Sequence, residues 1–223
     1  TNFGIHVLYV EPYFYIKGNQ KYTPGDFKIE GDFSQAAFWF VAGVMGEGLQ
    51  LSNLNPQSKQ GDASIIEVLR SMQAEITYDY QNHLYDVKAS QTHSTTIDLK
   101  DIPDLGPILM VLAGRSKGTT KFIHCERLKI KESDRLDAMV QTLTQLGVPV
   151  TLTEDGVEIT GVNHFKGDIE LDGFNDHRIV MAISIASIHA DGPITILGAE
   201  AIHKSYPTFF EDFKKLGGVV HES

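Results

Sequence analysis

Three apolar segments, each preceded by an aspartate, recur at equal distances along this chain and constrain its fold more than any other feature. The segments are residues 36–45, 108–113 and 179–188. The aspartates are Asp32, Asp104 and Asp176, and they are evenly spaced, since 104 − 32 and 176 − 104 both give 72. A period of this length that keeps its internal order predicts a domain built from three repeated units.

Each repeat continues with the same order of sequence patterns. A small-residue turn and a short β-prone stretch come first. A segment follows whose apolar residues recur every three or four positions, which is typical of an amphipathic helix. The β-prone stretches are residues 48–51, 118–123 and 192–197, and the helical patterns begin at Ile65, Leu136 and Phe209. Further strands follow, as at residues 75–80 and 148–153.

The three apolar segments predict helices that are apolar on every side. Such helices must be buried on every side, so they belong in the interior, with the sheets and the amphipathic helices around them. This inverts the usual sheet-centred layout. The sequence therefore predicts a mixed α/β (α+β) fold, namely an inside-out, barrel-like domain of three repeated βαβαββ units with buried central helices.

The phase of the repeat predicts a domain boundary near residue 30. Residues 1–30 contain a hairpin pattern and a short β-prone end, and they resemble the tail of a unit whose head is absent. We therefore expect residues 1–30 to be the tail of a preceding, mostly missing domain, and residues 31–223 to form the three-repeat domain. On this interpretation the chain is a fragment, the later half of a longer protein.

Composition excludes several classes of protein. The net charge of −10 argues against a general nucleic-acid or membrane-surface binder, and no apolar run is long enough to span a bilayer. The single cysteine, Cys125, permits no internal disulfide, which is typical of a cytoplasmic protein. The sequence has no phosphate-binding loop, no dinucleotide fingerprint, no nucleophile elbow and no histidine pair at metal-ligand spacing, so we expect no metal site.

The most highly charged segment, residues 127–135, carries four cations and two carboxylates. One interpretation is an ordinary charged first turn of a helix, with Ser133 or Asp134 as the N-cap. Cations at a helix N-terminus, however, oppose the helix macrodipole, which favours acidic groups there. We therefore favour the binding of an anionic ligand, and Glu132 within this group could shuttle a proton.

Other charged residues also fall near predicted helix starts. Asp176 is an N-cap by default, and Asp62 is most simply a cap as well. His177 and Arg178 have no counterpart in the other repeats, and Arg178 offers a rigid fork for carboxylate or phosphate. Lys204, taken alone, would be a solvated surface residue. Because repeat symmetry should place the helix N-termini on one face, we expect an anion-binding cleft there.

Residues 131–135 (KESDR) and 175–178 (NDHR), with Asp104 before them and Lys204 after them, resemble the 5-enolpyruvylshikimate-3-phosphate synthase family of 3-phosphoshikimate 1-carboxyvinyltransferases. The resemblance implies a protein of roughly twice this length, with two three-repeat domains facing each other across a cleft. It also implies transfer of the enolpyruvyl group of phosphoenolpyruvate to the 5-hydroxyl of shikimate 3-phosphate, without a metal or organic cofactor. The missing N-terminal half would then be needed for turnover, and the fragment alone should be inactive.

The resemblance also implies a role for each matching residue. Asp104 is similar to the base near the shikimate hydroxyl, and Lys131 is similar to a neighbour of that hydroxyl and of shikimate 3-phosphate. Glu132 is similar to the residue that protonates the methylene carbon of phosphoenolpyruvate. The residues similar to the phosphoenolpyruvate-binding group are Arg135, His177, Arg178 and Lys204.

Two alternatives and two departures accompany this interpretation. The chain could belong to a UDP-N-acetylglucosamine enolpyruvyl transferase, which shares the fold and the phosphoenolpyruvate chemistry, or it could be a non-catalytic repeat domain. Gln35 follows Ser34 where the family often has two small polar residues. Arg127 occupies a variable position, which leaves its contact with substrate open.

Overall fold

The computed structural model describes residues 3–221, and the chain divides into two compact units, Thr1–Glu30 and Gly31–Ser223. The first unit contains an antiparallel hairpin of β1 (Val7–Val10) and β2 (Tyr13–Ile16). All eight strand residues are exposed, although every one of them is apolar or aromatic. The assignment of this unit to a preceding domain remains a prediction.

Three central helices form the core of the second unit. They are α1 (Phe33–Met45), α3 (Gly106–Ala113) and α5 (His177–Ala186). Every residue of α3 and α5 is buried, and in α1 only Ser34 and Gln35 are not. The mixed fold with buried central helices is therefore confirmed.

Two of the three repeated aspartates cap the central helices. The Asp32 carboxylate accepts the backbone N–H of Ser34, and the Asp176 carboxylate accepts that of Arg178. Asp104 does not cap α3, because a 3₁₀ turn over Pro103–Leu105 precedes this helix and makes no side-chain cap bond. The Asp104 carboxylate is thus available for other contacts.

Three outer helices pack their apolar faces on the core. They are α2 (Ile65–Ser71), α4 (Arg135–Gln145) and α6 (Phe209–Lys215). Two residues after the end of each helix comes a residue with positive φ: Gln73 (68°), Gly147 (82°) and Gly217 (99°). This left-handed conformation stops the helix in each repeat.

The strands form three small sheets in the second unit. The first has the order β3-β5-β4, with β3 (Leu49–Ser52), β4 (Ile76–Asp79) and β5 (Leu84–Val87) antiparallel. The second has the order β6-β7-β9-β8, with β6 (Thr96–Asp98), β7 (Thr119–Ile123), β8 (Val150–Leu152) and β9 (Val157–Thr160). The third pairs β10 (Ile169–Asp172) with β11 (Ile194–Leu197).

Two parallel pairs of strands flank the central helices α3 and α5. β6 pairs in parallel with β7, in the register Thr96↔Lys121, and β10 pairs in parallel with β11, in the register Ile169↔Ile194. In each pair the strand before a central helix lies beside the strand after it, which is the geometry of a βαβ crossover. The repeats therefore place the starts of these helices at equivalent positions.

The three central helices run parallel, with their N-termini at one end. Arg178 Nη1 of α5 lies 3.4 Å from the Ser34 carbonyl oxygen of α1 and 3.3 Å from that of Asp104, just before α3. At the other end, His189 Nε2, beyond α5, lies 2.5 Å from the carbonyl oxygen of Met45 in α1. Among residues 3–221, no helix has the length and apolar character needed to cross a membrane.

Candidate active site

A buried ion pair between Arg135 and Asp176 lies at the end of the second unit where the central helices begin. Arg135 Nε lies 2.7 Å from Asp176 Oδ2, and the two side chains are 3% and 0% exposed. Ser133 Oγ donates a second hydrogen bond to Asp176. Burial raises the pKa of Asp176, but the hydrogen bond and charge of Arg135 outweigh burial and hold that pKa below its usual value. Asp176 is thus an ionised carboxylate that joins α4 to α5.

Asp104 is surrounded by three cations. Its Oδ1 atom lies 2.8 Å from both Lys131 Nζ and Arg135 Nη1, and its Oδ2 atom lies 3.6 Å from Arg178 Nη2. Burial raises the pKa of Asp104. The hydrogen bond from Lys131 and the charges of the two arginines outweigh burial, so the pKa lies below its usual value.

Glu132 forms a second, more exposed part of the same network. Its Oε2 atom lies 3.1 Å from His177 Nδ1 and 3.9 Å from Lys204 Nζ. The ammonium group of Lys204 also donates to the carbonyl oxygen of Asn175. Glu132 and Lys204 are 38% and 40% exposed, so a carboxylate and an ammonium group face solvent beside the buried pair.

The two arginines of the network are held differently. Arg135 makes hydrogen bonds of 2.7 and 2.8 Å to carboxylate oxygens, which are close to the optimum for charged groups. Arg178 is 9% exposed, yet its contacts with Ser34 and Asp104 range from 3.3 to 3.6 Å. Its donors are therefore incompletely used and are suited to an incoming anion.

Asp62 contacts the edge of this network, and the expected cap is wrong. The 3₁₀ turn over Gly61–Ser64 has Gln60 at its N-cap, without a side-chain cap bond. The Asp62 carboxylate instead accepts a hydrogen bond from the hydroxyl of Ser34. Burial raises the pKa of Asp62 above its usual value, although the Ser34 hydrogen bond and the charge of Arg178 act in the opposite direction.

The expectation that all the site residues lie at helix N-termini is also wrong. Lys131 and Glu132 lie in a loop between a 3₁₀ turn over Glu126–Ile130 and α4, whose N-cap is Asp134. Lys204 ends a 3₁₀ segment that begins at Ala199. Arg135 and His177 are the first residues of α4 and α5, and Arg178 follows His177.

The seven predicted site residues nevertheless lie in one connected network. Asp104 joins Lys131 and Arg135, and Asp176 joins Arg135 to α5. The network then reaches Glu132 through His177, which lies beside Asp176. Arg127, by contrast, donates to the carbonyl oxygen of Lys100 at 2.8 Å and makes no hydrogen bond or ion pair with the described members of this network. The helix N-termini and the side-chain cations together form one face that can bind anions.

The chain matches one known protein family over most of its length. The family model described as EPSP synthase (3-phosphoshikimate 1-carboxyvinyltransferase) matches residues 1–213. This chain belongs to the EPSP synthase family. A 3-phosphoshikimate 1-carboxyvinyltransferase of Clostridium novyi (strain NT) is 47% identical over 211 residues, which are 94% of this chain and 47% of that protein. One from Clostridioides difficile (strain 630) is 41% identical, over 99% of this chain and 50% of that protein.

Solved structures agree with the family assignment. EPSP synthase from Acinetobacter baumannii superposes with a TM-score of 0.87 at 29% identity, over 99% of this chain and 53% of that chain. The enolpyruvyl transferase NikO from Streptomyces tendae has a TM-score of 0.76 at 17% identity, which shows a shared fold. This member of the EPSP synthase family spans about half the length of the curated relatives that it matches.

One set of potential metal ligands occurs in the described part of this EPSP synthase family member. Single ligand atoms of Glu132, Asp176 and His177 lie within 4.8 Å of one another. The Asp176 oxygens, however, are already bonded to Arg135 and other donors, and the Lys204 ammonium lies 3.9 Å from Glu132. Fixed positive charge so close to the set fits an anion better than a metal ion.

Sequence reasoning missed two features of the site. Asp176 was explained as a cap, which it is, but its carboxylate also forms the buried pair with Arg135. The bond between Ser34 and Asp62 was not foreseen either. The even spacing of the aspartates singled out Asp176, but a cap and an ion pair require the same residue type, so the spacing could not separate them.

Proposed function

We propose that this chain contributes one half of the active site of an enzyme that transfers the enolpyruvyl group of phosphoenolpyruvate to the 5-hydroxyl of shikimate 3-phosphate. The observation that carries the proposal is the convergence of Lys131, Arg135 and Arg178 on Asp104, beside Glu132. Two phosphorylated anions must be held together for this reaction. Fixed cations provide both that positioning and the stabilisation of the charge that develops.

In the proposed reaction, Asp104 accepts the proton of the 5-hydroxyl as its oxygen bonds to the central carbon of phosphoenolpyruvate. Glu132 delivers a proton to the methylene carbon, which becomes a methyl group in a tetrahedral intermediate. The bond from that central carbon to the phosphate oxygen then breaks, and Glu132 takes a proton back from the methyl group. The phosphate leaves with the proton that Asp104 accepted from the hydroxyl, which returns Asp104 to its carboxylate form, and the enol ether remains on the acceptor.

The electrostatics of Asp104 indicate how substrate binding would make it a base. Three surrounding cations lower the pKa of Asp104 and so weaken it as a base. Substrate anions that bind Lys131 and Arg178 would draw these cations away from the carboxylate. The pKa of Asp104 would then rise, and its basicity would increase when both substrates are bound. Lys131 would also contact shikimate 3-phosphate, as the sequence resemblance implies.

The phosphoenolpyruvate group would be held by Arg178 and Lys204, with Arg135 and His177 behind them. Arg178 has the loosest contacts and is the strongest candidate for a direct bond to the substrate. Arg135 directs three N–H groups to carboxylates, which leaves one on Nη1 and one on Nη2 for a substrate. Its proposed role therefore combines support with contact.

The rest of the proposed active site would come from an opposing domain. Relatives of about twice this length support that arrangement, in which residues 1–30 belong to the preceding domain and residues 31–223 form the three-repeat domain. We propose no turnover by this chain alone, and a cytoplasmic location for the whole enzyme. The proposed partners are the two small-molecule substrates and the other half of the protein.

The test is an assay of phosphate release by the intact protein with phosphoenolpyruvate and either shikimate 3-phosphate or UDP-N-acetylglucosamine. With phosphoenolpyruvate present, we expect turnover with shikimate 3-phosphate and none with the UDP-sugar. Turnover with the UDP-sugar and none with shikimate 3-phosphate would contradict the proposed acceptor. Glu132→Gln should abolish turnover. If Glu132→Gln and Lys131→Ala both leave the kinetics unchanged, the chain is a non-catalytic repeat domain.

A further inference from the structure

Lys204 lies at the start of a short irregular segment of the chain. The 3₁₀ segment that begins at Ala199 ends at Lys204, and α6 does not begin until Phe209. Between them, Ser205 is exposed and Tyr206 is half-buried. A lysine on such a segment needs an anchor elsewhere in the domain if its ammonium group is to occupy a fixed position.

Helix α1 provides two contacts to this segment, one turn apart. Gln35 Nε2 donates to the Ser205 carbonyl oxygen at 2.8 Å and lies 3.2 Å from Ser205 Oγ. Trp39, four residues along the same helix face, directs its indole Nε1 to the Tyr206 hydroxyl at 3.2 Å. These contacts join the first repeat to the third.

Further contacts make the second of these anchors stiff. The rings of Trp39 and Tyr206 meet edge to face, at 6.3 Å between centroids, and Trp39 also stacks on Phe209 at 5.1 Å. The Tyr206 hydroxyl donates in turn to Asp212 at 3.0 Å. Tyr206 is thus fixed on both sides, while Gln35 fixes the backbone immediately next to Lys204.

We infer that Gln35 and Trp39 are positioning residues that hold the Lys204 ammonium group in the anion-binding face. This inference rests on the proposed function, in which Lys204 binds phosphoenolpyruvate. Neither residue reaches the network around Asp104, so both act through the segment that they hold. The long Gln35 side chain spans the gap to Ser205.

The first test measures amide hydrogen exchange in this chain. Gln35→Met keeps the length of the side chain but removes its donor, and Trp39→Phe keeps an aromatic ring but removes the indole N–H. Both should accelerate exchange at residues 203–206 by about three- to tenfold, the equivalent of one hydrogen bond. Gln141→Ala, which removes an exposed bond from Gln141 to Asp137, is the matched control. Unchanged exchange at residues 203–206 would overturn the anchor.

The second test separates positioning from general stability in the intact enzyme. Gln35→Met should raise KM for phosphoenolpyruvate about three- to tenfold, while kcat and KM for shikimate 3-phosphate stay within about twofold. In a Lys204→Met background the same change should have no further effect on phosphoenolpyruvate affinity. The inference would be overturned if Gln35→Met lowered kcat alone or changed both KM values equally. It would also be overturned if Gln35→Met changed the affinity for phosphoenolpyruvate equally with and without Lys204. If the unmodified enzyme shows no turnover, the proposed function fails, and the exchange test still decides the anchor.

Discussion

Arg135 and Arg178 both contact the carboxylate of Asp104, but the other contacts of the two arginines differ. Arg135 is 3% exposed and is bonded at 2.7 Å to Asp176, whereas Arg178 is bonded at no distance shorter than 3.3 Å. Arg135 therefore behaves as part of the core, and Arg178 as a group ready for a ligand. Substitutions near Arg135 should mainly affect folding, and substitutions of Arg178 should mainly affect binding.

Asp176→Asn should lower the free energy of unfolding by roughly 3 kcal/mol, because it leaves the buried charge of Arg135 only partly compensated by Asp104. Urea denaturation measures this change. Glu67→Gln, which removes an exposed pair with Arg70, should cost less than about 1 kcal/mol. Equal costs for the two substitutions would contradict the central position of the buried pair.

The pH dependence of stability should reflect the two lowered carboxyl pKa values. Asp104 and Asp176 have pKa values below 3.8 in the folded chain, so their contribution is complete above that pH and is lost as pH falls through the folded pKa values. The free energy of unfolding should therefore decrease as pH falls below about 4. Asp176→Asn should make this decrease shallower, and an unchanged slope would argue against the ion pair.

The contribution of Asp62 to the pH dependence of stability should have the opposite sign. Its pKa is raised in the folded chain, so its ionisation opposes folding as pH rises through the folded pKa. Asp62→Asn keeps an acceptor for the Ser34 hydroxyl and removes the charge. We expect the variant to be more stable than the unmodified chain at neutral pH, with the difference vanishing in acid. A loss of stability at neutral pH, measured by urea denaturation, would contradict this account.

A conflict between charge and helix position predicted part of the site from the residues alone, whereas the roles of Asp104, Arg178 and Lys204 came from the family resemblance. The conflict at residues 127–135 indicated an anion site, and the structure places Lys131 and Arg135 on Asp104. Asp62 was misinterpreted because a cap is the commonest use of an aspartate before a helix. Its true partner, Ser34, lies 28 residues away, and no local pattern signals such a contact.

At the scale of the element, the hydrophobic period predicted the outer helices but not the irregular segments. The apolar positions that begin at Ile65, Leu136 and Phe209 fall on α2, α4 and α6. Periodicity detects these helices because one face of each must be buried. The loop that contains Lys131 has no period, since its conformation depends on bonds to other repeats.

Two glycines with similar φ should respond differently to alanine. Gly147→Ala should cost about 1–2 kcal/mol from the left-handed backbone alone, because a methyl group there meets only the Lys166 side chain, at 3.9 Å. Gly48→Ala should cost more, because its methyl group would lie 2.8 Å from the carbonyl oxygen of Val87. Thermal unfolding of the two variants measures the difference. A larger cost at Gly147 would contradict the packing of the turn before β3.

At the scale of the whole molecule, parallel central helices explain why an acidic protein can bind anions. Helices α1, α3 and α5 begin at one end of the second unit, where Arg178 contacts both Ser34 and Asp104. Their backbone N–H groups add partial positive charge to that of the side chains. The net charge of −10 belongs to the chain as a whole, and the repeat concentrates the cations locally.

The repeat made this architecture predictable, because three equivalent units related by one period must place equivalent ends together. The period itself carries no information about which cation contacts which carboxylate. Those pairings depend on loops that differ between repeats, such as the one that carries Lys131 and Glu132.

The most direct measurement is kcat/KM for phosphate release by the intact protein after single cations of the face are removed. The account predicts that Arg178→Met and Lys131→Met each lower kcat/KM by at least about a hundredfold, because each removes a fixed charge from the transition state. Arg70→Met, which removes an exposed cation on α2, should leave kcat/KM unchanged. Values for Arg178→Met and Lys131→Met within about threefold of the unmodified enzyme would contradict the account.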